Sequence, residues 1–259
     1  MGCCAPKAED PIVDTGKDLP APSLKGVTDV YQRFELSLPF SRILIKSFLE
    51  KVDEAEKQCG EGYVTIEALK AELSSPAWLP LSEPDSSLYK FLTSGVFKNE
   101  AKGHTPEQID TDYLRIFGLL HCGGQPKDKA VALYAVLQEG GVDSHEFISA
   151  QDKDLNPVFD KICAMCCWEM FTSGAQIGGI ESIYSDDDSN GLKEQVEALR
   201  EDVFLEEVFG VQSRLDNAEW LDAVSKKANW VFNPVQLRKK LFELASLEDK
   251  HHTASPLGN

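Results

Sequence analysis

Several things are scarce or missing in this sequence, and each absence narrows the field. No apolar run approaches the ~20 residues that a membrane-spanning helix needs. No charged stretch followed by an apolar core opens the chain, so a secretory signal is not expected. Positive charge is short: 26 Lys and Arg stand against 43 Asp and Glu, a net of −17. Nucleic-acid affinity comes from cations set against phosphates, so DNA and RNA are not expected partners. The same deficit argues against adhesion to anionic lipid by charge alone. Cysteine is unpatterned: seven residues without repeated spacing give no disulfide framework, and a reducing compartment is expected. No phosphate-cradling glycine loop, nucleophile elbow or metalloprotease helix is found, so the reading is of a non-enzyme.

What is present is an ordinary globular composition, 42% hydrophobic and 27% charged, long enough for one large domain or two lobes. The chain opens MGCCAPK. Removal of Met1 would make Gly2 the amine that N-myristoylation requires, although Pro6 stands where that pattern has Ser or Thr. One acyl chain holds a protein only marginally, at ~10⁴ M⁻¹, and a second signal is needed. Palmitate on Cys3 or Cys4 supplies it, so Gly2, Cys3 and Cys4 are the expected lipidation residues. Prolines 6, 11, 20 and 22, with Gly16 and Gly26, break any periodicity beyond the tip. Residues 1–33 are expected to be a disordered tether.

From Pro39 the spacing becomes helical. PFSRILIKSFLEKV sets Ile43, Leu44, Phe48, Leu49 and Val52 on one face, and a loop then leads to a second helix carrying Ile66, Leu69 and Leu73. The same grammar recurs three times. SSLYKFLTSGVF leads through KGHTPEQ to IDTDYLRIFGLL. DKAVALYAVLQ leads through EGG to VDSHEFISA. LKEQVEALREDVFLEEVF leads through GVQSR to LDNAEWLDAV. One β-prone residue precedes each second helix: Val64, Ile109, Val142 and Leu215.

This helix–loop–helix grammar resembles the EF-hand. The order of the units, and the link LLHCGGQPKDKA, are similar to neuronal calcium-sensor proteins. Over residues 34 to 245 the pattern also resembles the N-terminal helical half of TLDc-domain proteins, whose tryptophan-bearing end is like AEWLDAVSKKANWVFNP; no TLDc domain is expected after residue 259. The resemblance implies an all-α fold of about ten helices in two EF-hand-like lobes, 34–125 and 126–245, with short β-bridges between paired loops and a disordered tail over 246–259.

Calcium wants acidic loop positions and a bidentate Glu at position 12. The first loop instead has Lys57 at position 1 and Ala68 at 12, and the second has Lys102 at 1 and Tyr113 at 12. The third keeps Glu146 but on too short a connection, and the fourth keeps Glu219 behind Val211, Gln212 and Ser213. All four read as inert. Residues 186–197, DDDSNGLKEQVE, do satisfy D-x-[DN]-x-[DN]-G-x₅-E. Asp186, Asp188, Asn190, Glu194 and Glu197 are therefore candidate calcium ligands. The competing reading is a helix start whose free N–H groups are capped by the acidic side chains.

Cys163, Cys166 and Cys167 lack the second ligand pair of a zinc site and are expected in the core. Trp230 and Phe232, just before Pro234, are expected as a partly exposed aromatic ridge that binds a protein partner. The segment 235–245 is amphipathic and suited to fill a helix groove in cis. Together these features suggest a lipid-anchored adaptor, on the cytoplasmic face of a plasma, endomembrane or ciliary membrane. The alternative is a membrane-associated calcium sensor with one site at 186–197.

Overall fold

Apolar spacing dictates the first unit. Ile45, Phe48, Val52 and Ala55 recur along α2 (Ile45–Cys59), and all four are buried. Gly60 and Gly62 then take positive φ, which a side chain would resist, and turn the chain into β1 (Tyr63–Val64). Thr65 caps α3 (Ile66–Glu72) by accepting the Ala68 N–H. The second unit repeats the plan: α4 (Ser87–Leu92), a loop, β2 (Ile109–Asp110) and α5 (Thr111–His121), capped by Asp110. The structure, a computed structural model, describes residues 18–253 apart from 100, 101, 104, 106, 140–146, 153 and 182.

β1 and β2 pair antiparallel, with Val64 opposite Ile109 and Tyr63 opposite Asp110. The two expected bridge residues thus meet, and both are buried. Around them Phe40, Phe48, Phe91, Phe97, Phe117 and Trp78 pack largely edge to face, with ring centroids 4.7–6.2 Å apart. Each fully buried ring or aliphatic side chain contributes on the order of 1.5–3 kcal/mol.

The second pair of units is α6 (Pro126–Glu139), β3 (Phe147–Ser149) and α7 (Leu155–Cys166), then a long run leading to β4 (Arg214–Asp216) and α12 (Asn217–Lys226). Here Leu215 meets Ile148, not Val142. Val142 and Glu146 lie outside the described residues. Phe147–Ser149 alternates exposed, buried and half-buried, and the ladder takes the residue that its pleat turns inward. Where a helix was expected over VDSHEFISA, the described residues Phe147–Ser149 form a strand, and the exit helix is α7. Pro157 falls in its first turn, where no N–H is needed.

α8 (Trp168–Gln176) follows α7 directly. The fourth incoming helix is broken into α9 (Asp186–Glu194), α10 (Val196–Ala198), a π-helical segment over Leu199–Leu205, and α11 (Glu206–Phe209). The tails depart from expectation at both ends. α1 (Val30–Ser37) already begins inside the stretch read as tether, and α13 (Pro234–Thr253) runs past residue 245. α13 does dock in cis: Leu237, Arg238 and Leu241 are buried, and the helix packs on α7 and α9. One continuous apolar cluster runs through both pairs of units. Hydrogen bonds from Ile45 N to Gly123 O (2.8 Å) and from Gly123 N to Ile43 O (2.9 Å) tie the start of α2 to the end of α5.

Candidate functional site

The paired strands β1 and β2 and the turns beside them carry a polar network. Lys102 sends its ammonium between Asp110 (2.9 Å) and Asp112 (2.7 Å). Asp110 is fully buried, and it also accepts the Tyr113 N–H at 3.0 Å. Burial acts to lower Lys102, but Asp112 and Asp110 outweigh it and hold the amine above the usual lysine value. Glu56 closes the other side. Its Oε1 accepts from Gly62 N (2.6 Å) and Thr111 Oγ1 (3.1 Å), and its Oε2 accepts from Arg115 (2.7 Å). Arg115, itself buried, reaches Asp53 at 2.9 Å as well. Loop one, loop two and the helices that bear them are thus stitched by two side-chain cations. Sequence reasoning marked Lys102 as an obstacle to calcium and missed that it has partners. The signal was available: Asp110 and Asp112 flank the helix start.

Residues 186–197 do not form a twelve-residue loop. Asp186–Glu194 is helix α9, with Ser185 as N-cap. Ser185 Oγ accepts the Asp188 N–H at 3.1 Å, and Asp188 accepts the Ser185 N–H at 2.8 Å, a capping box. The Ser185 N–H and the Ser185 hydroxyl, both donating to Asp188 Oδ2 at 2.8 Å, hold the Asp188 carboxyl below its ordinary value. A helix turns ~100° per residue, so Asp186 and Asn190 share one face while Asp188 points to the other side, and the three cannot converge as loop ligands do. Glu194 ends α9, and Glu197 lies a turn further on α10. Among the described residues, no group of three His, Cys, Asp or Glu is placed to hold a metal.

Trp230 and Phe232 are not an exposed ridge. Each is 5% exposed, on a 3₁₀ turn over Asn229–Phe232 that packs against α5, α6 and α13. The Trp230 indole donates to Glu207 at 2.5 Å, and Lys240 lies 4.7 Å from the ring centroid. The boundary before Pro234 is where it was expected, but α13 folds back over the aromatics. The accessible tryptophan is Trp168, half-buried beside a cleft of about 600 Å³ that also meets Val96, Glu169, Asp186 and Lys193. Lys193 stands 5.6 Å above its ring.

Cys163, Cys166 and Cys167 are in the core, as expected; burial pushes all three thiols up, Cys167 to about 12. Gly2, Cys3 and Cys4 lie outside the described residues. Where the description begins, the chain is pinned. Asp18 accepts from Ser75 Oγ (2.5 Å) and Ala77 N (3.4 Å) and lies 3.7 Å from Arg42. Leu19 N donates to Arg42 O at 2.7 Å. No helix among the described residues is long and apolar enough to cross a membrane. Compared with protein-family models, with curated proteins and with solved structures, the chain matches none.

Proposed function

We propose that the chain is a non-catalytic adaptor of EF-hand-like build, held at the cytoplasmic face of a membrane by acyl chains on Gly2 and on Cys3 or Cys4. The observation that carries the reading is the Lys102 network. A pair of loops whose carboxylates are each bonded to a built-in cation needs no divalent ion to hold its shape, and so supports a constitutive binding surface in preference to a calcium switch. The tip supplies location, and the folded surface supplies the partner contact. With Trp230 and Phe232 buried, the contact is assigned to the cleft beside Trp168, where an accessible indole adjoins exposed Asp186 and half-buried Glu169.

Affinity purification tests both halves. Chains with the natural tail, with Cys3→Ser and Cys4→Ser together, and with Trp168→Ala are recovered from membrane and soluble fractions. The reading expects the cysteine variant to leave the membrane fraction, and the Trp168 variant to stay there while losing its partner. Equal membrane recovery of all three chains contradicts the lipid anchor. An unchanged partner set for Trp168→Ala contradicts the assigned contact.

A further inference from the structure

We propose that the surface around the Pro76–Ser82 turn, with Leu79 at its apex, rests against the lipid bilayer, so that the anchored chain lies on the membrane in one orientation. This rests on the lipid-anchored reading and adds to it which face meets the lipid.

The tether ends at a defined place. Asp18 is fixed by Ser75, Ala77 and Arg42, and Leu19 is bonded to Arg42 through the backbone. Seventeen residues precede it. A random coil of seventeen residues spans ~21–25 Å root-mean-square. That is about the radius of a folded chain of this size. An anchor at the tip therefore favours the Asp18 face at the bilayer over the opposite face, which only a nearly extended segment would let turn to the lipid.

Leu79 stands on that face, two residues from the Ala77 amide that Asp18 holds. It is 63% exposed, in a turn flanked by Pro76 and Pro80. Its base is rigid. Trp78 is buried under it, with its ring 5.1 Å from Phe40 and 6.2 Å from Phe48. The backbone is closed by Trp78 N to Ser75 O (2.9 Å) and Glu83 N to Pro80 O (3.1 Å). A leucine held outward on a packed base enters the interfacial region with little loss of conformational freedom.

Charge points the same way. From Asp18 to the end of α5, sixteen acids face eleven bases; from the start of α6 to the end of α12, twenty-one acids face eight bases. The cytoplasmic leaflet carries a negative surface potential, so the strongly acidic second pair of units is turned away and the less acidic first pair is the one set beside it. Ile183 and Val211 are exposed too, but they lie in the acidic half.

Hydroxyl-radical footprinting tests the orientation on the native surface. The full chain carrying Cys59→Ser is coupled through Cys3 and Cys4 to maleimide-headgroup lipid in phosphatidylcholine–phosphatidylserine vesicles. It is compared with the same chain capped by a small maleimide. Oxidation of Leu79 relative to Val211 is expected to fall roughly threefold on vesicles, since a largely exposed side chain becomes covered. An unchanged ratio, or equal protection of Leu79, Ile183 and Val211, overturns the proposal. The coupling supplies the anchor chemically, so an unprotected Leu79 counts against the orientation alone. A failure of acyl labelling in cells counts against natural lipidation alone.

Discussion

Replacing Lys102 with methionine keeps the length of the side chain and removes its charge. The structure says what is left behind. Asp110, fully buried, loses its cation at 2.9 Å, and Asp112 loses one at 2.7 Å. Stranding a carboxylate in a dry core costs about 3–5 kcal/mol. Two features reduce that here. The Lys102 side chain is about a third exposed, so water screens part of the attraction, and the Asp112 arm, at the surface, is worth only about 0.2–1 kcal/mol. Asp110 also keeps its hydrogen bond from Tyr113 N as the cap of α5. A loss of about 1–3 kcal/mol follows, a fall in Tm of a few degrees for a chain of this size. Thermal unfolding followed by circular dichroism reads it, with and without chelator. Adding Asp110→Asn to Lys102→Met should return part of the loss, because the stranded charge is gone. The pH dependence has a definite sign. With the folded pKa held above the unfolded value near 10.4, the contribution is fully present below that value and is lost as pH rises through the folded pKa. A Lys102→Met chain as stable as the parent would refute the built-in cation.

Three other outcomes are expected. Burial pushes Lys129 down to about 8 from an ordinary 10.5, so at pH 7 its charged form costs the fold roughly 3 kcal/mol. Lys129→Met should be the more stable chain at pH 7, and the gap should close between pH 8 and 10.5 as the parent gains stability; a constant gap across paired melting curves contradicts this. Arg238 bonds both oxygens of Glu35 (2.6 and 3.2 Å) and the Cys166 carbonyl (2.8 Å), joining α13 to α1 and α7. Arg238→Met alone should cost about 3–5 kcal/mol in urea unfolding, and Arg238→Met with Glu35→Met should cost far less. Phe232→Ala should lower stability by about 3–5 kcal/mol, as a core truncation does, instead of weakening a partner selectively; a chain that melts like the parent contradicts its burial.

The repeated helix–loop–helix units were legible because their cause is local: apolar residues at helical spacing, then a turn and one β-prone residue. Val64 and Ile109 met for that reason, and so did Leu215 on its own strand. Val142 failed because the pleat of Phe147–Ser149, set by pairing with Arg214–Asp216, is a long-range constraint. α1 was hidden by the prolines before it, yet its start had a local sign: Asp29 caps it by accepting the Gln32 N–H at 2.9 Å. The Ser185 and Asp188 capping box was equally readable, and it competes with the calcium motif for the same residues. Trp230 and Phe232 were not legible. Nothing in a short aromatic run says whether a later helix will fold over it. The Lys102 network, spread over two loops and two helices, is of the same kind.

The central claim is that side chains, including two built-in cations, hold the paired loops in place of divalent ions. Isothermal calorimetry of the full chain with Ca²⁺, with a melting curve in chelator beside it, meets that claim most directly. The account predicts no stoichiometric heat at cytosolic calcium levels and a Tm that the chelator leaves unmoved. Saturable heat at one equivalent, together with a lower Tm in chelator, would contradict it.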